Sequence, residues 1–188
     1  MEPSQLVMEE LRDMEPSSSV SLEIETDVYF DVIKGLMNLV EDGKSQLVYV
    51  ASTVPAEAII NAMEMIGVNH HGVKFIDCVS NMMTGPQSRS ENVIFIESPT
   101  MLENIMLKVE FLRRKSPGMR SIVVVDSVNT LHIHNGWKIM GEFLHILVNN
   151  LRARGSVTLI ISIKEQQSQE ANTLLGLVSD RIVKIGGG

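Results

Sequence analysis

"SIVVVDSVNTL", residues 121–131, decides how this chain is read. Ile122 to Val125 are four consecutive apolar β-formers, and they run straight into Asp126 and Ser127. An unbroken apolar run, rather than an alternating one, belongs to a strand covered on both faces, as in a parallel sheet. In open parallel sheets ligands bind beyond the carboxyl ends of the strands. Asp126 and Ser127 therefore stand where a carboxylate and a hydroxyl could hold Mg²⁺ through water. The plain alternative is that Asp126 caps the turn after the strand.

Six further candidate strands flank this one, several of them also continuous apolar runs: 20–24, 47–51, 73–79, 93–97, 157–163 and 181–185. Helical stripes lie between them. Val32, Ile33, Leu36, Met37 and Val40 form one on a helix expected over 28–41. Ile59, Ile60, Met63 and Ile66 form a second, with Gly67 as its C-terminal stop. Leu102, Ile105, Met106, Val109 and Leu112 form a third, preceded by a capping-box pattern, Thr100 with Glu103. Met140, Phe143, Leu144, Leu147 and Leu151 form a fourth, ending in Arg152, Arg154 and Gly155. Alternation of this kind builds right-handed βαβ units. The fold class expected is α/β, a three-layer αβα sandwich on a mostly parallel sheet.

The organisation expected is an acidic N-terminal segment, 1–19, with a short helix and a linker, followed by one domain over 20–188. Val7, Leu11 and Met14 make the short helix's stripe, which packs on the body or on a partner. "NMMTGPQSRSEN", 81–92, reads as the longest irregular, mobile piece.

Bulk properties narrow the function. The chain has 188 residues, 44% of them apolar, enough for one domain with a real core. Its net charge is −7 and only 4% of its residues are aromatic, so autonomous nucleic-acid binding is not expected. The lone Cys78 leaves no internal disulfide. No apolar stretch approaches the roughly 18 residues of a membrane span, and the acidic start lacks a signal peptide's basic and apolar regions. A soluble, cytoplasmic protein is the reading.

From about residue 20 onward the order of motifs resembles the KaiC branch of the RecA-like ATPases. "LVYVASTVPAEAIINAMEMIG" (47–67) is similar to that family's second strand and helix. "SIVVVDSVNTL" is similar to its Walker B strand, which typically ends in Asp-Ser, and "FLHILVNNLRARGSVTLIISI" and "VSDRIVKI" to the elements that follow. The resemblance makes Asp126 and Ser127 a vestigial Walker B and implies ATP and Mg²⁺ as cofactors of any intact version. It also places the phosphate loop between strand 20–24 and helix 28–41. The sequence there is "LEIETDVYFD", with no glycine, and with Val28 and Tyr29 where the family has lysine and its Ser/Thr neighbour.

Glu23, Glu25, Asp27 and Asp31 crowd the same place. One carboxylate about 4 Å from a phosphate charge costs ~4 kcal/mol at an effective dielectric near 20. The family's catalytic acids fall near Ser52 and Thr53, and an alcohol is far too weak a base near neutral pH. Glu57, on the next helix, reads as a first-turn acid rather than a substitute base. Tyr29 and Phe30 are expected to fill the emptied cleft.

The resulting expectation is a non-catalytic domain, a pseudo-ATPase without cofactor. It would act through protein contact in regulation or signalling, as a homo-oligomer or beside an active RecA/KaiC-like relative. The alternative is a nucleotide-binding ATPase or switch with an altered phosphate site. A DNA-recombination accessory is a third class, and the acidic balance argues against it. A receiver-like fold is the structural rival, since "VSLEIETD" supplies acids and Lys164 follows a strand. His70–His71 and His132/His134 lack the third and fourth ligands of a zinc site and read as loop histidines. Trp137 reads as packing or a partner contact, and the methionines read mostly as core.

Overall fold

The apolar runs become seven strands: β1 (Ser19–Ile24), β2 (Ser45–Ala51), β3 (Val73–Asp77), β4 (Val93–Phe95), β5 (Arg120–Asp126), β6 (Val157–Ile163) and β7 (Arg181–Ile185). The structure, a computed structural model, describes residues 1–87 and 90–186. The strands form one sheet in the order β4-β3-β2-β5-β6-β1-β7, with all pairs parallel. A receiver would place its first strand beside its second and third. Here β1 lies between β6 and β7.

The helices are α1 (Pro3–Leu11), α2 (Tyr29–Asn38), α3 (Ala56–Met65), α4 (Ser80–Thr84), α5 (Leu102–Arg114), α6 (Val128–Asn135), α7 (Trp137–Arg152) and α8 (Gln169–Val178). They cover both faces. Ile122 and Val124 of β5 point into a core with α1, α2 and α3. Val123 and Val125 point into a second core with α5, α6, α7 and α8. Val123, Val124 and Val125 have no exposed surface, which is why β5 reads as a continuous rather than an alternating run.

Several local expectations are corrected. The helix expected over 28–41 is shorter: a 3₁₀ turn at Thr26–Val28 leads into α2, which stops at Asn38. The capping box at Thr100 does not form. Ser98 and Thr100 bond each other through their hydroxyls at 2.9 Å, and α5 starts two residues later without a side-chain cap. The stretch 81–92 is helical at its start, where α4 runs to Thr84, and Ser88 and Arg89 within it lie outside the described residues. His132 and His134 are in helix α6, not in a loop. By contrast Gly67 sits at φ +71° just past α3, where the Val68 amide bonds back to the Met63 carbonyl at 2.9 Å.

Residues 1–19 are joined to the rest by burial. Val7, Leu11 and Met14 enter the core shared with α2. Arg181 on β7 bonds Glu10 at 2.7 Å, and Arg120 donates to the Met14 carbonyl. The α1–α2 contact is close because Gly35 has no side chain. A Cβ there would lie 2.7 Å from both the Ser4 carbonyl oxygen and the Val7 Cβ. Gly35→Ala is therefore expected to destabilise the fold by about 1–3 kcal/mol through overpacking, despite alanine's better helix propensity. Urea unfolding of the two proteins measures it, and an unchanged or raised midpoint would contradict this account.

Candidate functional site

The carboxyl ends of β1, β2, β5 and β6 meet at one edge of the sheet, because all are parallel. Asp126 ends β5 and has no exposed surface. A buried carboxylate is costly unless its oxygens are bonded. Here Oδ2 accepts from the Tyr49 hydroxyl at 2.6 Å and from the Tyr29 hydroxyl, and Oδ1 accepts from Thr53 Oγ1 at 2.8 Å. Its main-chain oxygen accepts from both the Ser52 amide and the Ser52 hydroxyl, each at 2.7 Å. The Asp126–Ser127 peptide is cis.

Each partner arrives for a sequence reason. Tyr49 points from β2 into the α2 side of the sheet, with its ring on Phe75 at 5.6 Å between centroids. Thr53 lies just beyond β2, whose last residue, Ala51, is in register with Asp126. Tyr29 is the first residue of α2, and its side chain reaches past the end of β6 to Asp126. Ser127 begins α6 as its N-cap, its hydroxyl accepting from the Thr130 amide at 3.2 Å. Thr53, Ser127 and Thr130 close a small hydroxyl cluster, with Oγ1–Oγ1 of Thr53 and Thr130 at 3.0 Å.

Burial pushes the Asp126 carboxyl above its ordinary range, against the opposing pull of the three hydroxyl bonds. Burial also raises both phenols, helped by the Asp126 charge. Asp126 and Ser127 are brought together as the sequence implied, but the carboxylate faces protein hydroxyls. Among the described residues, the main surface cavities, of about 120 to 410 Å³, are lined by residues other than Asp126, Tyr29 and Thr53.

The β1–α2 connection is closed from another side. Thr26 donates its amide and hydroxyl to Glu165, at 3.1 and 3.0 Å. The Thr26 amide bond is the main cause that lowers the Glu165 carboxyl from its ordinary range. Glu165 follows β6 and gave no sequence signal. The expected crowding of acids is softened by pairing: Lys164 bonds Glu25 at 2.5 Å and Lys184 lies 3.7 Å from Glu23. Tyr29 fills the position in front of Asp126, as expected. Phe30 does not: it is 43% exposed and meets Tyr29 edge-on.

Asp77, at the end of β3, is a second buried acid that the sequence did not single out. It accepts from the Ala56, Val79 and Ser80 amides and from the Ser80 hydroxyl at 2.6–2.9 Å, and so joins the starts of α3 and α4. Glu57 lies in the first turn of α3. His132 stacks on Trp137 at 3.8 Å, and His70 bonds Glu64 at 3.1 Å. No group of three or more His, Cys, Asp or Glu among the described residues is arranged to hold a metal ion. No described helix is long and apolar enough to cross a membrane.

Comparison with solved structures identifies the architecture as RecA/KaiC-like. A KaiC-like protein from the hyperthermophilic archaeon Pyrococcus horikoshii OT3 superposes with a TM-score of 0.64 at 12% identity, over 91% of this chain and 72% of that one. The flagellar accessory protein FlaH from Methanocaldococcus jannaschii superposes with a TM-score of 0.60 at 11% identity, with the same coverage. No family model matches the sequence, and no curated protein does.

Tyr29→Phe removes one donor from a carboxylate with no access to water. It is expected to cost about 1–3 kcal/mol in chemical denaturation. A separate expectation concerns pH. An acid whose folded pKa is raised binds its proton more tightly when folded, so its contribution falls as pH climbs above the unfolded value, 3.8. Asp126→Asn lacks that loss. Its stability relative to the parent should therefore improve between about pH 4 and about pH 7. A flat difference across that range would show that Asp126 titrates normally.

Proposed function

We propose that this chain is a non-catalytic RecA/KaiC-like domain, a pseudo-ATPase that works through contact with other proteins in regulation or signalling. The observation that carries the reading is the saturation of Asp126 by Tyr29, Tyr49 and Thr53. In an intact ATPase of this fold, a Walker B aspartate would hold Mg²⁺ and a glycine-rich loop with lysine would hold the phosphates. Here a tyrosine begins α2, and its hydroxyl occupies the carboxylate from the phosphate side. The connection before it offers Glu25 and Asp27 but no glycine or lysine. A polyanion entering there would have to displace a buried phenol and break the Thr26–Glu165 bonds, and the lysines nearby, Lys164 and Lys184, are paired with Glu25 and Glu23.

Protein contact is the role left to such a domain, either with copies of itself or beside an intact relative. One structural neighbour is described as an accessory protein. The exposed apolar residues of α6, α7 and α8 are consistent with such a contact: Ile133 is 71% exposed and Leu177 80%.

The test is a thermal melt with and without millimolar Mg-ATP, alongside phosphate release. The expected result is an unchanged midpoint and no turnover. Ligand at 100 times its Kd would add ~2.7 kcal/mol. An upward shift that disappears when Asp126 is replaced by Ala, in a variant that still melts cooperatively, would establish the alternative, a nucleotide-binding ATPase or switch with a remodelled phosphate site.

A further inference from the structure

The opposite edge of the sheet carries an unexpected concentration of positive charge. Arg113 and Arg114 end α5, and Arg154 follows α7, which runs beside it on the same face. All three guanidinium groups converge on Glu110. Arg113 bonds it through Nε and Nη2 at 3.0 and 2.8 Å, Arg114 through Nε at 2.6 Å, and Arg154 Nε lies 3.4 Å away. The Arg113 bond chiefly, with the other two cations behind it, holds the Glu110 carboxyl down to about 2. Three cations against one anion leave two positive charges in excess. Among the described residues the Nη groups of Arg114 and Arg154, the donors that fork onto oxyanions, have no hydrogen-bond partner.

A cavity of about 230 Å³ opens between these arginines. It is lined by Ser121 and Ser156 and by no acidic residue. Ser121 shares the face of β5 that carries Val123 and Val125, so its side chain points toward the layer of α5 and α7. The Ile122–Val157 register sets Ser121 beside Ser156, one step nearer the amino end. Ser121 is only 6% exposed, and its hydroxyl has no hydrogen-bond partner. A buried hydroxyl without a partner costs free energy unless something fills the space before it. Cations at a helix C-terminus are explained by the helix dipole alone. The cavity and the orphaned hydroxyl of Ser121, one of the residues that line it, are not.

We propose that this pocket binds a phosphate group, as a phosphomonoester or the free ion. The two excess charges match a dianion. The Nη groups of Arg114 and Arg154 present planar forks at the rim, and Ser121 supplies a hydroxyl from the lining. The space suits one tetrahedral oxyanion and its ester carbon rather than a nucleic-acid strand.

Calorimetric titrations at matched ionic strength test this with three probes: inorganic phosphate, a short neutral peptide carrying one phosphoserine, and the same peptide with aspartate in its place. The parent should bind a phosphate-bearing probe saturably. Arg114→Gln/Arg154→Gln, both at exposed side chains, should weaken it by about tenfold or more, and Ser121→Ala should weaken it severalfold. Tighter binding of the phosphopeptide than of phosphate would assign the source to a modified protein, and the reverse to the free ion. Equal affinities in the parent and the double variant, with both folded by circular dichroism, would overturn the proposal. So would aspartyl peptide binding as tight as phosphopeptide. The double variant also separates the two edges of the sheet: an Mg-ATP response that it abolishes arises here, and one that it retains arises at Asp126.

Discussion

A carboxylate shut away from water must be given donors, and in this protein that requirement organises the carboxyl edge of the sheet. Asp126 draws Tyr49 from β2, Tyr29 from the start of α2 and Thr53 from the turn before α3. Three separate segments are thus fastened to one side chain. With these hydroxyls in place, both carboxylate oxygens are directed at protein donors.

Much of the architecture was legible because parallel strands covered on both faces must be apolar throughout. Ile122 to Val125, and the run from Val157 to Ile163, could hardly be anything else. The helices that escaped notice have weaker signatures. In α6 the buried residues are Val128, Asn129 and Leu131, while Ile133 faces outward, so no clean stripe exists. In α8, Ala171, Leu175 and Val178 do form a stripe, and Ser168 caps it, but alanine and a polar first turn mute the pattern. The Thr100 capping box failed for a local reason: Ser98 offered the hydroxyl a nearer partner.

The candidate site was legible in part. Asp126 and Ser127 follow from the strand, and Tyr29 from its position ahead of the helix. Tyr49 and Glu165 were hidden, since their roles arise from pairing between segments far apart in the chain. Tyr49 reads as one more residue of an apolar strand until β2 is set against β5. Net charge conceals local clusters in a related way. A chain at −7 still gathers Arg113, Arg114 and Arg154 around a single Glu110, because the ends of α5 and α7 are neighbours only after folding.

The position of β1 has a kinetic consequence. It lies between β6 and β7, and Ser19 pairs with Thr158 while Val20 pairs with Arg181. β1 therefore has no edge to join until β6, far along the chain, has been made. Closing a loop of that length carries a large entropic cost before any pairing repays it, and folds dominated by such distant pairings form slowly. Until β6 and β7 have been made the apolar face of β1 has no strand beside it, and completion of the sheet waits on these distant pairings.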